Sequence, residues 1–92
     1  MQEERAETVG LTALAWIAAS DDLLPVFLGS TGAGEDDLRA RAQEPEFLGA
    51  VLDFLLLDDA WLGAFAEESG LAPEAVAAAR RALPGGEAPH WT

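Results

Sequence analysis

The sequence repeats its order of features at an offset of 38 residues, which aligns residues 9–42 with residues 47–80. In each half, an apolar helix-like stretch is followed by acidic residues, a short apolar stretch with a phenylalanine, a glycine corner and a further helix-like stretch. Phe27 aligns with Phe65, and Gly32 aligns with Gly70. This order predicts two structurally related three-helix halves. Chance matching within a chain rich in alanine and leucine is the alternative interpretation.

Helix start and stop signals divide the chain into six segments. Asp21 or Asp22 is the expected N-cap of the second helix, and Asp58 is the expected N-cap of the fifth. Pro45 and Pro73 are placed to begin the fourth and sixth helices. No stretch alternates apolar and polar residues as a half-buried strand does. We therefore predict an all-α fold, a compact bundle of five to six short helices with corners like those of helix-hairpin-helix units.

The length of 92 residues predicts a single domain with one small core. We expect residues 1–8 to form a frayed N-terminal segment, residues 9–83 to form the helical domain, and residues 84–92 to form a mobile tail. The first helix is apolar on nearly all sides, so it should lie buried in the centre. The large apolar side chains exceed what so small a domain can hide, so the aromatic rings and the leucines should not all be fully buried.

Charge and composition narrow the classes of function. The formal net charge is −12, with five arginines and no lysine, so phosphate backbones and anionic lipids should be repelled. The simpler interpretation of this charge is that it keeps the protein soluble. The alternative is that it binds a basic partner. The absence of cysteine excludes disulfides and favours a reducing compartment. Because no apolar run reaches the roughly 18 residues of a membrane span, we expect a cytoplasmic protein without a membrane partner.

The most motif-like stretch is "STGAGEDDLR", which begins at Ser30. A helix-hairpin-helix turn binds phosphate through the backbone amides of a loop such as Gly32-Ala33-Gly34 and of the helix start that follows. Three acids occupy positions 35–37, where the phosphate would lie, and they would repel it. We therefore interpret this stretch as a packing corner and a candidate partner contact, and we do not expect it to bind nucleic acid.

No residue pattern predicts an enzyme or a metal site. The serines have no histidine at a defined spacing, so a hydrolase triad has no support. His90 is the only histidine, and without cysteine it cannot complete a zinc site. Asp21-Asp22 and Asp58-Asp59 lack the alternating ligands and the closing glutamate of a calcium loop. We predict no catalytic residue, no cofactor and no metal.

A single carboxylate, Asp53, interrupts the apolar run "VLDFLLL" of the fourth helix. Its position on the polar stripe of that helix predicts that it faces water or the rim of the core. An ion pair with Arg39 or Arg80 is the alternative. Both interpretations give Asp53 a structural role.

Three stretches, "LTALAWIAASDDLLPVFLGSTG", "DDLRARAQEPEFLGAVLDFLLLDDAWLGAFA" and "PEAVAAARRAL", resemble the small proteobacterial family catalogued as domain of unknown function 3572. The resemblance covers about residues 9–83. Ala33 stands where the family usually has a larger apolar residue, so the packing under the corner is expected to differ. The resemblance implies the fold of that family and a bacterial source. Because the family carries no established activity, the resemblance transfers no catalytic residue.

These observations favour a non-catalytic protein-interaction or adaptor module that binds an unidentified protein partner or a second copy of itself. The candidate contact residues are those of the glycine corner and two tryptophans: Gly32, Ala33, Gly34, Trp61 and Trp91. Two other classes of function stay open. The duplicated plan suggests a helix-hairpin-helix nucleic-acid binder, and the negative charge with its spaced acidic pairs suggests an acidic DNA mimic.

Overall fold

A computed structural model describes residues 1–85, and within this range the chain forms six α-helices and no β-strand. A 3₁₀ turn, Glu35–Asp37, directly precedes the third helix. The predicted all-α bundle is therefore confirmed. The helices are α1 (Glu3–Ala18), α2 (Leu23–Thr31), α3 (Leu38–Arg41), α4 (Pro45–Leu56), α5 (Asp59–Ser69) and α6 (Pro73–Ala82).

The N-terminal segment is helical from Glu3 onward, which differs from the frayed segment expected over residues 1–8. Ala6 is fully buried and anchors the first turns of α1 in the core. Glu3 and Glu4 lie in the first turn, where negative charge is favourable to the helix dipole. The burial of Ala6 therefore attaches this acidic segment to the core, although its composition suggested exposure to solvent.

The C-terminal end of the described chain is held by α6. The Nη1 atom of Arg80 donates a hydrogen bond to the carbonyl oxygen of Pro84 at 3.1 Å, and Leu83 is buried. The tail predicted over residues 84–92 therefore begins with a residue that is bound to the domain. Residues 86–92 lie outside the described residues.

The centre of the fold is the contact between α1 and α4, both of which also pack against α6. Gly10 of α1 permits this approach, because a Cβ atom there would lie 2.9 Å from the Cβ atom of Leu48 on α4. Gly10 aligns with Leu48 in the 38-residue repeat. Two aligned residues that touch each other are the arrangement expected next to an approximate two-fold axis between the halves.

The aromatic contacts cross between the halves in the same way. Phe27 of α2 meets Phe54 of α4 edge-on at a centroid distance of 5.2 Å, and Trp16 of α1 meets Phe65 of α5 edge-on at 5.5 Å. Trp16 aligns with Phe54 as Phe27 aligns with Phe65. Each contact therefore joins the first helix of one half to the second helix of the other, which supports the predicted duplication.

The large apolar side chains are not all fully buried, as the sequence predicted. All four phenylalanines are buried, whereas Trp16 and Trp61 are half-buried. The most exposed large apolar side chain within residues 1–85 is an aliphatic one, Leu57, at 76%. Edge-on packing explains the burial of all four phenylalanines, because it lets several rings share one small core.

The helix ends repeat at the same offset. The hydroxyl of Ser20 and the carboxylate of Asp58 each accept a hydrogen bond, at 3.2 Å, from the amide three residues further on. Gly32 and Gly70 end α2 and α5 in the left-handed conformation, with φ of 76° and 79°. A residue with a side chain would be strained at both positions.

One predicted cap is confirmed and one is wrong. Asp58 caps α5 as predicted, with its carboxylate 2.8 Å from the amide of Ala60. Ser20, in place of Asp21 or Asp22, accepts the amide bond at the start of α2. Asp22 already has helical dihedral angles, φ −83° and ψ −38°, whereas a capping side chain needs an extended backbone.

None of the helices within residues 1–85 is long and apolar enough to cross a membrane alone. The helices α1 and α2 meet that criterion only as a pair, and the chain bends by 119° between them.

Candidate functional site

In the second half of the chain, the end of α6 closes a groove beside α4. The Nε and Nη2 atoms of Arg80 donate to the two carboxylate oxygens of Asp53 at 2.6 and 2.9 Å. The guanidinium also lies over Gly49, where a Cβ atom would be 2.5 Å from Nη1. The side chain of Arg80 is only 14% exposed, and that of Asp53 is 56% exposed. Asp53 therefore faces water, as predicted, and also forms the ion pair that was the alternative.

The aligned place in the first half is open. Where the second half has glycine, aspartate and arginine, the first half has Leu11, Ala15 and Ala42. These three residues line one groove, which has a volume of about 490 Å³ and which we name the α1–α3 groove. Two alanines thus stand where the second half has the bidentate ion pair.

The lining of the α1–α3 groove is mostly apolar. Its two charged members, Glu35 and Arg39, come from the 3₁₀ turn and α3. The prediction that α1 is buried on nearly all sides is wrong for this face, since Leu11 is 45% exposed and Ala15 and Ala18 are also exposed. The apolar members are Leu11, Leu14, Ala15, Ala18, Leu24, Leu38 and Ala42.

The groove is open because the third helix of the first half is short. The helix α6 has ten residues, whereas α3 ends after four, at Arg41. The chain then turns, with the amide of Glu44 donating to the carbonyl of Arg41 at 2.9 Å, and Pro45 begins α4. Arg41 points at the ring of Phe47, with its guanidinium carbon 4.6 Å from the centroid. Neither Arg41 nor the turn therefore covers α1 as Arg80 covers α4.

A second groove, between α2 and α4, differs from the α1–α3 groove because both halves form it. Its lining includes Phe47 and Ala50, and their aligned residues Val9 and Thr12 line a groove beside α1. A groove that occurs at aligned positions in both halves is explained by the fold that the halves have in common. Within residues 1–85, the α1–α3 groove is instead a place where the halves differ, which makes it the candidate site.

The glycine corner has its backbone amides occupied. The amide of Gly32 donates to a carbonyl of α2 at 2.9 Å. The amide of Ala33 donates to the hydroxyl of Thr31, and that of Gly34 to the carboxylate of Asp37, both at 3.3 Å. A phosphate would need these amides, and within this corner they are already bonded to groups of the chain itself. Ala33 is 7% exposed and offers almost no side-chain surface to a partner, whereas Gly32 and Gly34 are exposed.

Trp61 is not part of the lining of the α1–α3 groove. Trp61 is half-buried and stacks on Phe54, with ring centroids 4.6 Å apart and planes 19° apart. Trp91 lies outside the described residues. The corner does adjoin the groove, because Glu35 follows Gly34 and lines it.

The groove residues were missed at the sequence level, although one signal marks them. The 38-residue alignment places Ala15 opposite an aspartate and Ala42 opposite an arginine, at positions that form an ion pair in the other half. Such a paired loss of opposite charges indicates that one contact is absent from the first half. A comparison of the two halves by charge, and not only by apolar pattern, would have found it.

Residues 1–85 offer few arrangements of side chains that suit catalysis or metal binding. This part of the chain brings no three histidine, aspartate or glutamate side chains together as a metal site would. It also buries no polar or charged side chain. The structure thus defines a small all-α protein with an apolar groove open between α1 and α3.

The chain belongs to the family described as "Protein of unknown function (DUF3572)", whose model matches residues 3–86. The family resemblance inferred from the sequence is therefore confirmed. Searches of curated proteins and of solved structures found no match.

Proposed function

We propose that this protein is a non-catalytic protein-interaction module and that the α1–α3 groove is its binding surface. The observation that carries the proposal is the contrast between the halves, since the fold closes this place with its own ion pair in one half and leaves it apolar and open in the other. An exposed apolar groove on a small domain is typical of an interaction site.

The charge distribution along α1 supports the same surface. The sequence has a net charge of −12, yet no ionisable residue occurs between Glu7 and Asp21. The exposed part of α1 in this interval includes Leu11, Ala15 and Ala18. An uncharged, partly apolar strip on so acidic a chain favours contact with another molecule, because solubility alone would favour charge there.

The non-catalytic part of the proposal is supported by the lining. Glu35 and Arg39 are its two ionisable side chains, and both are exposed. Catalytic acids and bases are typically desolvated or held by a specific partner. The cysteine-free sequence supports a cytoplasmic setting for the interaction.

The experiment that tests the proposal places two charged side chains in the groove, at the positions that form the ion pair of the second half. A variant with Ala15→Asp and Ala42→Arg gives the first half the pair of residues that covers α4 in the second half, and it keeps the net charge unchanged. The matched control carries Ala60→Asp and Ala64→Arg on α5, where both alanines are exposed and outside the groove. Circular dichroism melts establish that both variants fold.

The unmodified chain and both variants then serve as baits for affinity capture from a lysate of the source organism. We expect a stoichiometric protein bound to the unmodified chain and to the α5 control, and lost from the groove variant. A partner that the groove variant retains would contradict the proposal, as would recovery of no stoichiometric partner, a second copy of the chain included.

A further inference from the structure

We infer that the occupant of the α1–α3 groove is an α-helix of a different protein, with apolar residues at helical spacing on one face and lysine or arginine beside them. This inference rests on the proposed function and adds the class of partner. Its three parts are the helical shape, the apolar anchors and the basic flanks.

The helical shape follows from how the fold fills the same place in the second half. There the closing element is the last part of the helix α6, which places Arg80 over Gly49. In the first half, the helix α3 stops one turn after it begins, so the missing cover is a length of helix. Between Leu11 and Ala18 the groove follows α1 for about 10 Å, or two turns. This length suits a helix that docks through residues i, i+3 or i+4, and i+7.

The apolar anchors follow from the lining. Ala15 and Ala18 on α1 and Ala42 after α3 are small, so they let another backbone approach closely. Leu11 and Leu24 stand beside them as larger apolar groups. Leucine-sized side chains from a docked helix would cover the exposed part of Leu11 and displace water from the alanines.

The basic flanks follow from the charges around the groove. Glu7 lies one turn before Leu11 on the same face of α1, and Asp21 lies three residues after Ala18. Glu35 of the 3₁₀ turn lines the groove, Asp36 and Asp37 follow it in the chain, and all three are exposed. Arg39 is the single cation in the lining.

The same charges argue against a second copy of this chain as the occupant. Two copies would bring together two net charges of −12, and like charges across an interface oppose association. A partner with lysine or arginine beside its apolar face gains both the apolar contact and an attraction that speeds encounter. The charge balance therefore selects a different, basic protein.

The test uses three designed peptides of about 16 residues, long enough for four helical turns. All three carry leucines at i, i+3, i+4 and i+7. The first has lysine at the remaining positions, the second has glutamate there, and the third is the lysine peptide with a central proline that breaks the helix. Each is titrated into the isotope-labelled full chain and followed by NMR.

We expect the lysine peptide to shift the amide signals of Leu11, Ala15 and Ala18 and to gain helical circular dichroism on binding. The glutamate peptide should bind at least about tenfold more weakly, since its charge matches that of the rim. The proline peptide should bind weakly as well. The variant with Ala15→Asp and Ala42→Arg should lose affinity for the lysine peptide, and the α5 control should keep it.

Equal binding of the lysine and glutamate peptides, equal binding of the proline peptide, or shifts that map away from the groove would overturn the inference. The single variant Leu11→Lys, at an exposed position, repeats the test with a charge that repels the lysine peptide, if the double variant fails to fold. If lysate capture depends on the groove while the lysine peptide does not bind, the class of partner is wrong and the proposed function stands. If capture does not depend on the groove, the proposed function fails first.

Discussion

The second half of the chain ends with ten residues of α6, whereas the first half ends with a 3₁₀ turn and four residues of α3. Up to that point the halves agree in detail: their caps, their left-handed glycines and their ring contacts fall at aligned positions. The third helix of the first half ends at Arg41, and Pro45, which starts α4, stands at the position that aligns with the buried Leu83. The last turns of the third helix therefore separate a closed half from an open one.

This difference shows which residues determine the fold and which determine the surface. Residues that meet where α1 packs on α4, such as Gly10 with Leu48, are needed by both halves. The pair Arg80–Asp53 serves one half alone and lies at the solvent boundary. Its counterparts Ala15 and Ala42 leave the first half free to bind another molecule. Four measurements test this comparison: substitutions in the core, at the contact between α1 and α4 and at the ion pair, and the addition of salt.

The largest expected effect comes from truncating the two aligned phenylalanines. Phe27→Ala and Phe65→Ala should each lower the free energy of unfolding by about 3–5 kcal/mol, because both rings are fully buried and each substitution leaves a cavity. The loss of stability should be larger for Phe27→Ala. The ring of Phe27 meets two rings edge-on, those of Phe47 and Phe54, whereas the ring of Phe65 meets one, that of Trp16. Urea denaturation measures both.

The exposed Leu57 supplies the control for these truncations, and Leu57→Ala should change the free energy of unfolding by less than about 0.5 kcal/mol. Equivalent core positions require comparable losses from the two phenylalanine variants. If one of them unfolds as easily as the Leu57 control, the two rings do not have the same role and the duplication hypothesis is wrong.

Much of the core could be predicted from the sequence because local signals specify it. Pro45, Pro73 and Gly70 mark helix ends through backbone geometry that each residue carries by itself. The burial of Phe27 and Phe65 follows from their alignment together with helical spacing. The cap at Ser20 was missed because three adjacent polar residues compete for that role, and the backbone angle of Asp22 decides between them.

The groove could not be predicted in the same way, because it depends on tertiary contacts. The apolar pattern of α1 is nearly continuous, so it does not show which face another helix covers. That face is decided by the length of α3, which follows a 3₁₀ turn and ends at Arg41. The position of Arg80 over Gly49 likewise joins residues from two helices, and neither local sequence contains it.

The second prediction tests the axis between the halves. Gly10→Ala should lower the free energy of unfolding by about 1–2 kcal/mol, because the added Cβ atom meets Leu48 at 2.9 Å and forces α1 and α4 apart. The control, Gly63→Ala on α5, has no atom within 4 Å of the new Cβ atom. It should raise stability by about 0.5–1 kcal/mol through the greater helix propensity of alanine. A stabilising Gly10→Ala would show that the halves do not meet there.

The third prediction concerns the pair that closes the second half. A double-mutant cycle of Asp53→Ala and Arg80→Ala should give a coupling energy of about 0.5–1 kcal/mol, the range for an ion pair with an exposed partner. The same cycle with Ala15→Asp and Ala42→Arg in the first half should give a smaller coupling. Leu11 stands there in place of Gly49, so the new arginine cannot lie flat on the helix. Equal couplings would mean that the glycine does not position Arg80.

The smallest expected effect is that of salt on the whole chain. With a net charge of −12, folding brings like charges together, and screening should relieve that repulsion. We expect the melting temperature to rise by a few degrees between low salt and about 0.3 M sodium chloride at pH 7. Salt also screens the attraction between Arg80 and Asp53, so the variant that lacks both side chains should gain slightly more than the unmodified chain. A melting temperature that falls with salt would mean that the ion pair of the second half outweighs the repulsion that the two halves share.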